Sequence, residues 1–140
     1  MIEAAPAIVR WPALSDIKTS PGQVDAQLLV AADLAGFAGH FPDLPILPGV
    51  MQIDWAVHIA RQLLLLDTPV VNVERLKFTC PICPGVELRL SLRHDAEAAT
   101  VDFRFYRLAP AGAATGSRSE LLFSQGRLVY QQPSLSVPRQ

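Results

Sequence analysis

His40 and Asp54 stand fourteen residues apart, an imidazole in a proline-braced loop and a carboxylate in the segment that follows it. From Gly36 to Gly49 the chain reads Gly-Phe-Ala-Gly-His-Phe-Pro-Asp-Leu-Pro-Ile-Leu-Pro-Gly. Each of the three prolines fixes its own φ and biases the residue before it towards extended backbone. The glycines at 36, 39 and 49 allow another group to approach the backbone closely. Such a loop can hold a base at a fixed place, although a His that only bonds backbone is the plain alternative. Asp54 comes four residues after Val50 and three before Val57, so at helical spacing it projects from an apolar stripe. A carboxylate buried there must be paired, or its pKa rises until it stays protonated. Perturbed groups of this kind gather at functional sites, and a satisfied structural Asp is the competing reading. Trp55 beside it suits desolvation. The first N–H groups of such a helix, at Gly49 and Val50, have no intrahelical partner and sit at the positive end of its dipole. They suit a developing oxyanion, such as the enolate oxygen of a thioester. Base, acid and oxyanion donors together describe proton abstraction beside a thioester carbonyl with loss of a β-leaving group.

These groups need a frame, and the hydrophobic pattern predicts one. Apolar residues at Val50, Ile53, Val57, Ala60 and Leu64 are spaced three and four apart, which predicts a helix from Gly49 to about Leu66. Pro48-Gly49 opens it, Thr68-Pro69 closes it, and Arg61 lies near its C-terminal end, where the dipole favours a cation. From Val86 to Arg93 apolar and polar residues alternate strictly, and Val101, Phe103 and Phe105 alternate with Asp102, Arg104 and Tyr106. That period of two predicts strands with one buried face. The short Asp95-Ala96-Glu97 link makes them an antiparallel hairpin. Val24–Ala31, Val70–Thr79 and Leu121–Tyr130 are further strand candidates. The expected class is α+β, one long helix against one antiparallel sheet.

A chain of 140 residues, half of them apolar and 18% charged, fits a single packed domain, here placed over residues 1–130. Gln131–Gln140 is expected to be a poorly ordered tail, and the Gly-, Ala- and Ser-rich stretch 109–119 a loop between strands. A formal net charge of −1 supplies no overall field that would draw the chain to nucleic acid or an anionic membrane. The N-terminus lacks the pattern of a secretory signal. Apolar runs such as Leu63–Leu66 are far short of the roughly 20 residues that span a bilayer. A cytoplasmic place is expected. Cys80 and Cys83 form a Cys-x-x-Cys pair. Zinc would need about two more ligands at a suitable spacing. A redox motif would open a helix where Pro84-Gly85 breaks one. Two small buried thiols is the better reading, and neither metal nor cofactor is expected.

Gly39-His40-Phe41-Pro42, Pro45 and Pro48-Gly49-Val50-Met51-Gln52-Ile53-Asp54 together resemble a motif of the 3-hydroxyacyl-acyl carrier protein dehydratases of the FabA/FabZ type. That motif reads G-H-F-P-x-x-P-x-x-P-G-x-x-x-x-[DE]. Arg75-Leu76-Lys77-Phe78 and Pro81–Leu88 resemble that family's following strand and its P-x-x-P-G turn, so the likeness covers about residues 36 to 93. It implies a hotdog fold, in which an antiparallel sheet wraps one long central helix. It implies that His40 removes the C2 proton, that Asp54 helps the 3-hydroxyl leave as water, and that the Gly49 N–H holds the thioester oxygen. Val50, Phe41 and Trp55 are then expected to line the acyl site. The partner implied is an acyl chain on acyl carrier protein, or on CoA. The assembly implied is a homodimer that builds each site from both subunits. The chain begins too late for the His-Arg-Tyr-Pro-Phe-Leu-Leu-type segment of the fatty-acid enzymes, and Trp55 is unusual there. Both features are more similar to the short dehydratases of aryl-polyene and related pigment pathways.

His58, four residues after Asp54, is expected at a surface or half-buried helix position, and His94 at an exposed strand end. Arg75, Lys77, Arg89 and Arg93 could form a basic rim for an acidic carrier protein, or simply a solvated face. Two rival readings remain. A hotdog thioesterase would explain Asp54 and the helix N-terminus but not His40 in its braced loop. A non-catalytic hotdog subunit would bind the carrier protein or complete another subunit's site.

Overall fold

The computed structural model describes residues 11–30, 46–108 and 120–132. In chain order they form β1 (Ala13–Ser20), β2 (Gln23–Leu29), α1 (Gly49–Leu63), β3 (Val70–Phe78), β4 (Glu87–Asp95), β5 (Thr100–Leu108) and β6 (Glu120–Tyr130). The strands make one antiparallel sheet in the order β1-β2-β4-β5-β6-β3, so β1 and β3 are its edges. The expected α+β arrangement is borne out.

The strictest alternation in the sequence marks the centre of this sheet. Leu88, Leu90 and Leu92 of β4 are buried, as are Val101, Phe103 and Phe105 of β5. The register sets Leu90 against Phe105 and Leu92 against Phe103. Directly opposed apolar pairs of this kind are the unit of sheet stabilisation. This inner face receives Trp55, Ala56, Ile59 and Ala60 of α1, all fully or almost fully buried. Burying an indole ring completely is worth about 3–5 kcal/mol relative to alanine, so Trp55 is the main anchor of the helix.

That anchor corrects the expected helix face. The stripe that packs on the sheet runs Gln52, Trp55, Ala56, Ile59, Ala60. Val50 is 71% exposed and Asp54 is exposed as well, so of the stripe predicted through Val50, Ile53, Val57, Ala60 and Leu64 the N-terminal part is turned away from the deepest core, while Ala60 is fully buried in it. The helix carries two apolar stripes about 100° apart, and spacing alone cannot rank them. The larger side chain takes the core. The helix also ends at Leu63 rather than near Leu66.

The strand β1 has no apolar alternation and was not expected; it holds to β2 by backbone pairing around the Gly22 turn. At Gly22 φ is +73°, and a side chain there would press on the His94 carbonyl at 3.1 Å. His94 itself is half-buried rather than exposed, and Cys80 and Cys83 are half-buried rather than buried. The segment 109–119 and residues 133–140 lie outside the described residues.

On the outer face of the sheet the charges pair with one another. Arg89 donates to Asp25 at 2.7 Å and to Asp16 at 3.1 Å. Asp16 reaches Arg89 because a bulge in β1 gives it a φ of +47°. The Tyr106 hydroxyl donates to Asp25, and burial pushes its pKa up to about 12. Arg127 pairs with Asp102 and Arg104 with Glu120. Arg89 is therefore taken up inside the sheet and does not contribute a free charge to the expected basic rim.

Candidate active site at the helix N-terminus

The chain enters α1 through Pro48, whose extended backbone (φ −60°, ψ 147°) makes it the N-cap without a capping side chain. No acidic residue stands in the first turn. The Met51 and Gln52 N–H groups both donate to the Pro48 carbonyl, at 3.1 and 3.2 Å. The Gly49 and Val50 N–H groups have no backbone partner among the described residues. A side-chain cap would ordinarily satisfy one such donor and add about 1 kcal/mol. Here proline occupies the capping position, and the positive end of the helix stays available to an oxygen from elsewhere.

A pocket of about 420 Å³ opens at this end of the helix. Pro48, Gly49 and Gln52 line one side, and Phe78, Thr79 and Cys80 line the other. The Phe78 ring lies so close to Gly49 that a Cβ there would meet its Cζ at 2.6 Å. A side chain at Gly49 would therefore have to displace the half-exposed Phe78 ring. The backbone of this wall is held by Thr79 and Cys80, whose N–H groups donate to the Phe123 carbonyl at 2.8 and 3.2 Å.

Asp54 lies one turn beyond Val50, about 6 Å along the axis, on the same outward face. It is not buried among the described residues, which corrects the expectation of a carboxylate set into the core. Trp55, expected beside it in the acyl site, is wholly buried against the sheet and turns away from it. Adjacent helix positions point about 100° apart, so the two side chains cannot share one environment. His40 and Phe41 lie outside the described residues. Among the described residues, Gly49 and Gln52 thus line the pocket, while Val50 and Asp54 share the outward face of α1 and do not line it.

His58 is half-buried as expected, and its ring stacks on Trp11 at 3.9 Å between centroids, 6° from parallel. Burial lowers its pKa below the ordinary 6.5; Asp54 raises it by attraction and Arg61 lowers it further by repulsion. A depressed pKa means the unfolded chain binds the proton more readily. His58 thus contributes stability above about pH 6.5 that is lost as pH falls through its folded pKa. Trp11→Ala should uncover the imidazole and return its pKa towards 6.5. An NMR titration of the ring protons checks this, and a pKa that does not rise refutes burial as the cause.

Sequence reasoning missed Gln52, Ser124 and the Phe78–Cys80 wall. The signal for Gln52 was present: Gln52, Trp55, Ala56 and Ile59 fall at i, i+3, i+4 and i+7, so a lone amide heads the stripe that reaches the core. Among the described residues no group of three or more His, Cys, Asp or Glu could hold a metal ion. No helix among them is long and apolar enough to cross a membrane.

Residues 16–117 match the family model described as ApeI-like, ApeI dehydratase. Among solved structures, the dehydratase heterocomplex ApeI:P from Xenorhabdus doucetiae superposes with a TM-score of 0.72 at 30% identity. That match covers 86% of this chain and 98% of the other. A protein from Erwinia carotovora subsp. atroseptica superposes at 0.69 with 34% identity, over 85% of this chain and 92% of its own. A 3-hydroxyacyl-[acyl-carrier-protein] dehydratase FabZ from Solibacter usitatus (strain Ellin6076) is 35% identical over 65 residues. The matched part is 41% of this chain and 40% of that relative's length.

Proposed function

The chain belongs to the ApeI-like dehydratase family and has its hotdog fold, and on that footing we propose that it removes water from a 3-hydroxyacyl group held as a thioester on acyl carrier protein. The product is the trans-2-enoyl thioester, made for a fatty-acid or aryl-polyene type of chain. What carries the reading is the arrangement on α1: an uncapped N-terminus opening on a pocket, and Asp54 one turn on along an outward face.

In this reading the thioester oxygen takes the place of the missing cap and is met by the Gly49 N–H, with Val50 beside it. Negative charge grows on that oxygen as His40 removes the C2 proton, and oriented backbone donors favour that charge without reorganising. The C2 electron pair forms the C2=C3 bond while the C3–O bond breaks. Asp54 protonates the departing hydroxyl, which leaves as water. No oxidant or other reactant is consumed. A cytoplasmic location is part of this reading, because it is where such a substrate would be met.

Asp54 and Val50 share a face that the described elements leave open, as a site built from two subunits would require. The edge strand β3 adds exposed Val71, Leu76 and Phe78. We read the active form as a homodimer on those grounds. The Xenorhabdus doucetiae neighbour is described as a heterocomplex, so a complex with a different chain is the second form to consider.

The test is to incubate the purified chain with a 3-hydroxyacyl-carrier thioester and, separately, with its enoyl counterpart. Interconversion, followed by mass and by absorbance of the conjugated thioester, is the expected result. Release of free thiol without enoyl product would make the chain a thioesterase. An inert chain that binds the carrier protein would make it a non-catalytic subunit.

A further inference from the structure

Among the described residues two polar side chains are buried in the core, Gln52 at 3% and Ser124 at 0% exposure, and they are bonded to each other. The Ser124 hydroxyl donates to Gln52 Oε1 at 2.6 Å, and Gln52 Nε2 donates to the Leu47 carbonyl at 3.2 Å. Burying an amide and a hydroxyl gains nothing over apolar residues of the same shape, and each is costly if its partner is lost. The pair therefore calls for a reason beyond stability, and its location supplies one.

The chain of bonds starts on β6, crosses the first turn of α1 and ends on the residue just before the N-cap. Leu47 is held from both sides: its N–H donates to the Ile82 carbonyl at 2.8 Å, and its carbonyl accepts from Gln52. Pro48 follows, with a restricted φ and no N–H of its own. The next N–H is that of Gly49. Its direction is set by a peptide plane one residue from the pinned Leu47, and on its other flank lies the Phe78 ring. Ser124 pairs with Phe78 in the β3–β6 ladder, so the same β6 residue ties both walls of the pocket.

We propose that Gln52, oriented by Ser124, is a positioning residue for the dehydration: through Leu47 it fixes the peptide whose N–H meets the thioester oxygen. This role rests on the reading given under Proposed function. An oxyanion donor works only within a few tenths of an ångström of its place, and a misplacement of about 1 Å costs about 10²-fold in rate. A donor that acts on the transition state alone shows its loss in kcat rather than in KM.

Ser124→Thr and Ser124→Val add the same volume, and only the first keeps the hydroxyl. Ser124→Thr should turn over within about threefold of the parent, and Ser124→Val about 10- to 100-fold more slowly, with KM little changed in either. Gln52→Met keeps the length of the side chain without its amide, and should lose kcat to the same extent if the Ser124 variants fail to fold. Combining Ser124→Val with Gln52→Met should add no further loss, because both break one chain of bonds. Equal kcat for the Thr and Val variants, a loss confined to KM, or losses that multiply in the double variant would each overturn the role. A parent that does not dehydrate at all would overturn the underlying reading and this role with it.

Discussion

Asp54→Asn is expected to fold as stably as the parent, within about 0.5 kcal/mol, and to dehydrate about 10²- to 10³-fold more slowly. The two halves of that expectation rest on different facts. Asp54 is exposed among the described residues, so its carboxylate is not structural ballast for the core. Asparagine keeps the shape of the side chain but cannot transfer a proton to the leaving hydroxyl. His40→Ala removes the base and should cost a similar or larger factor, of about 10³. Activity of both variants, measured beside melting temperature, checks the pair. A variant of Asp54 that melts early would mean that the carboxylate is tied into the fold. One that keeps full activity would move the acid elsewhere.

The separation of stability from chemistry at Asp54 also explains where sequence reading succeeded and where it slipped. Strict alternation in β4 and β5 was decisive, because a one-residue slip would send Leu88, Leu90 and Leu92 to solvent. Pro48-Gly49 marked the helix start correctly, because backbone stereochemistry there depends on adjacent residues only. The helix face was misassigned because apolar residues occur nearly all round α1. A stripe of Val50, Ile53 and Val57 looks as good by spacing as one through Trp55 and Ile59. Side-chain size settled the competition, and Asp54 followed the losing stripe outward. The strand β1 was illegible for another reason: an edge strand with a bulge at Asp16 is held by backbone bonds and ion pairs, which leave no hydrophobic period. The Gln52–Ser124 contact joins residues 72 apart in sequence, and no local pattern could have paired them.

The outward face of α1 leads to the second large effect. If each site takes its imidazole from one subunit and its acid from the other, two inactive variants should repair each other. A His40→Ala subunit still carries Asp54, and an Asp54→Asn subunit still carries His40. Their mixed dimer has one site with both groups intact and one with neither. Free exchange of equal amounts gives about half mixed dimers, and one of the two sites in each is whole, so the mixture should recover about a quarter of parental activity. Against variants that each retain about 10⁻² to 10⁻³ of the parental rate, a rise to a quarter is unmistakable. The measurement is turnover of the 3-hydroxyacyl thioester after the two variants are unfolded together and refolded, with each refolded alone as control. Recovery that tracks the fraction of mixed dimers would assign His40 and Asp54 to opposite subunits. No recovery, from dimers shown by mass to be mixed, would place both groups in one chain. The exposed face of α1 would then need another occupant.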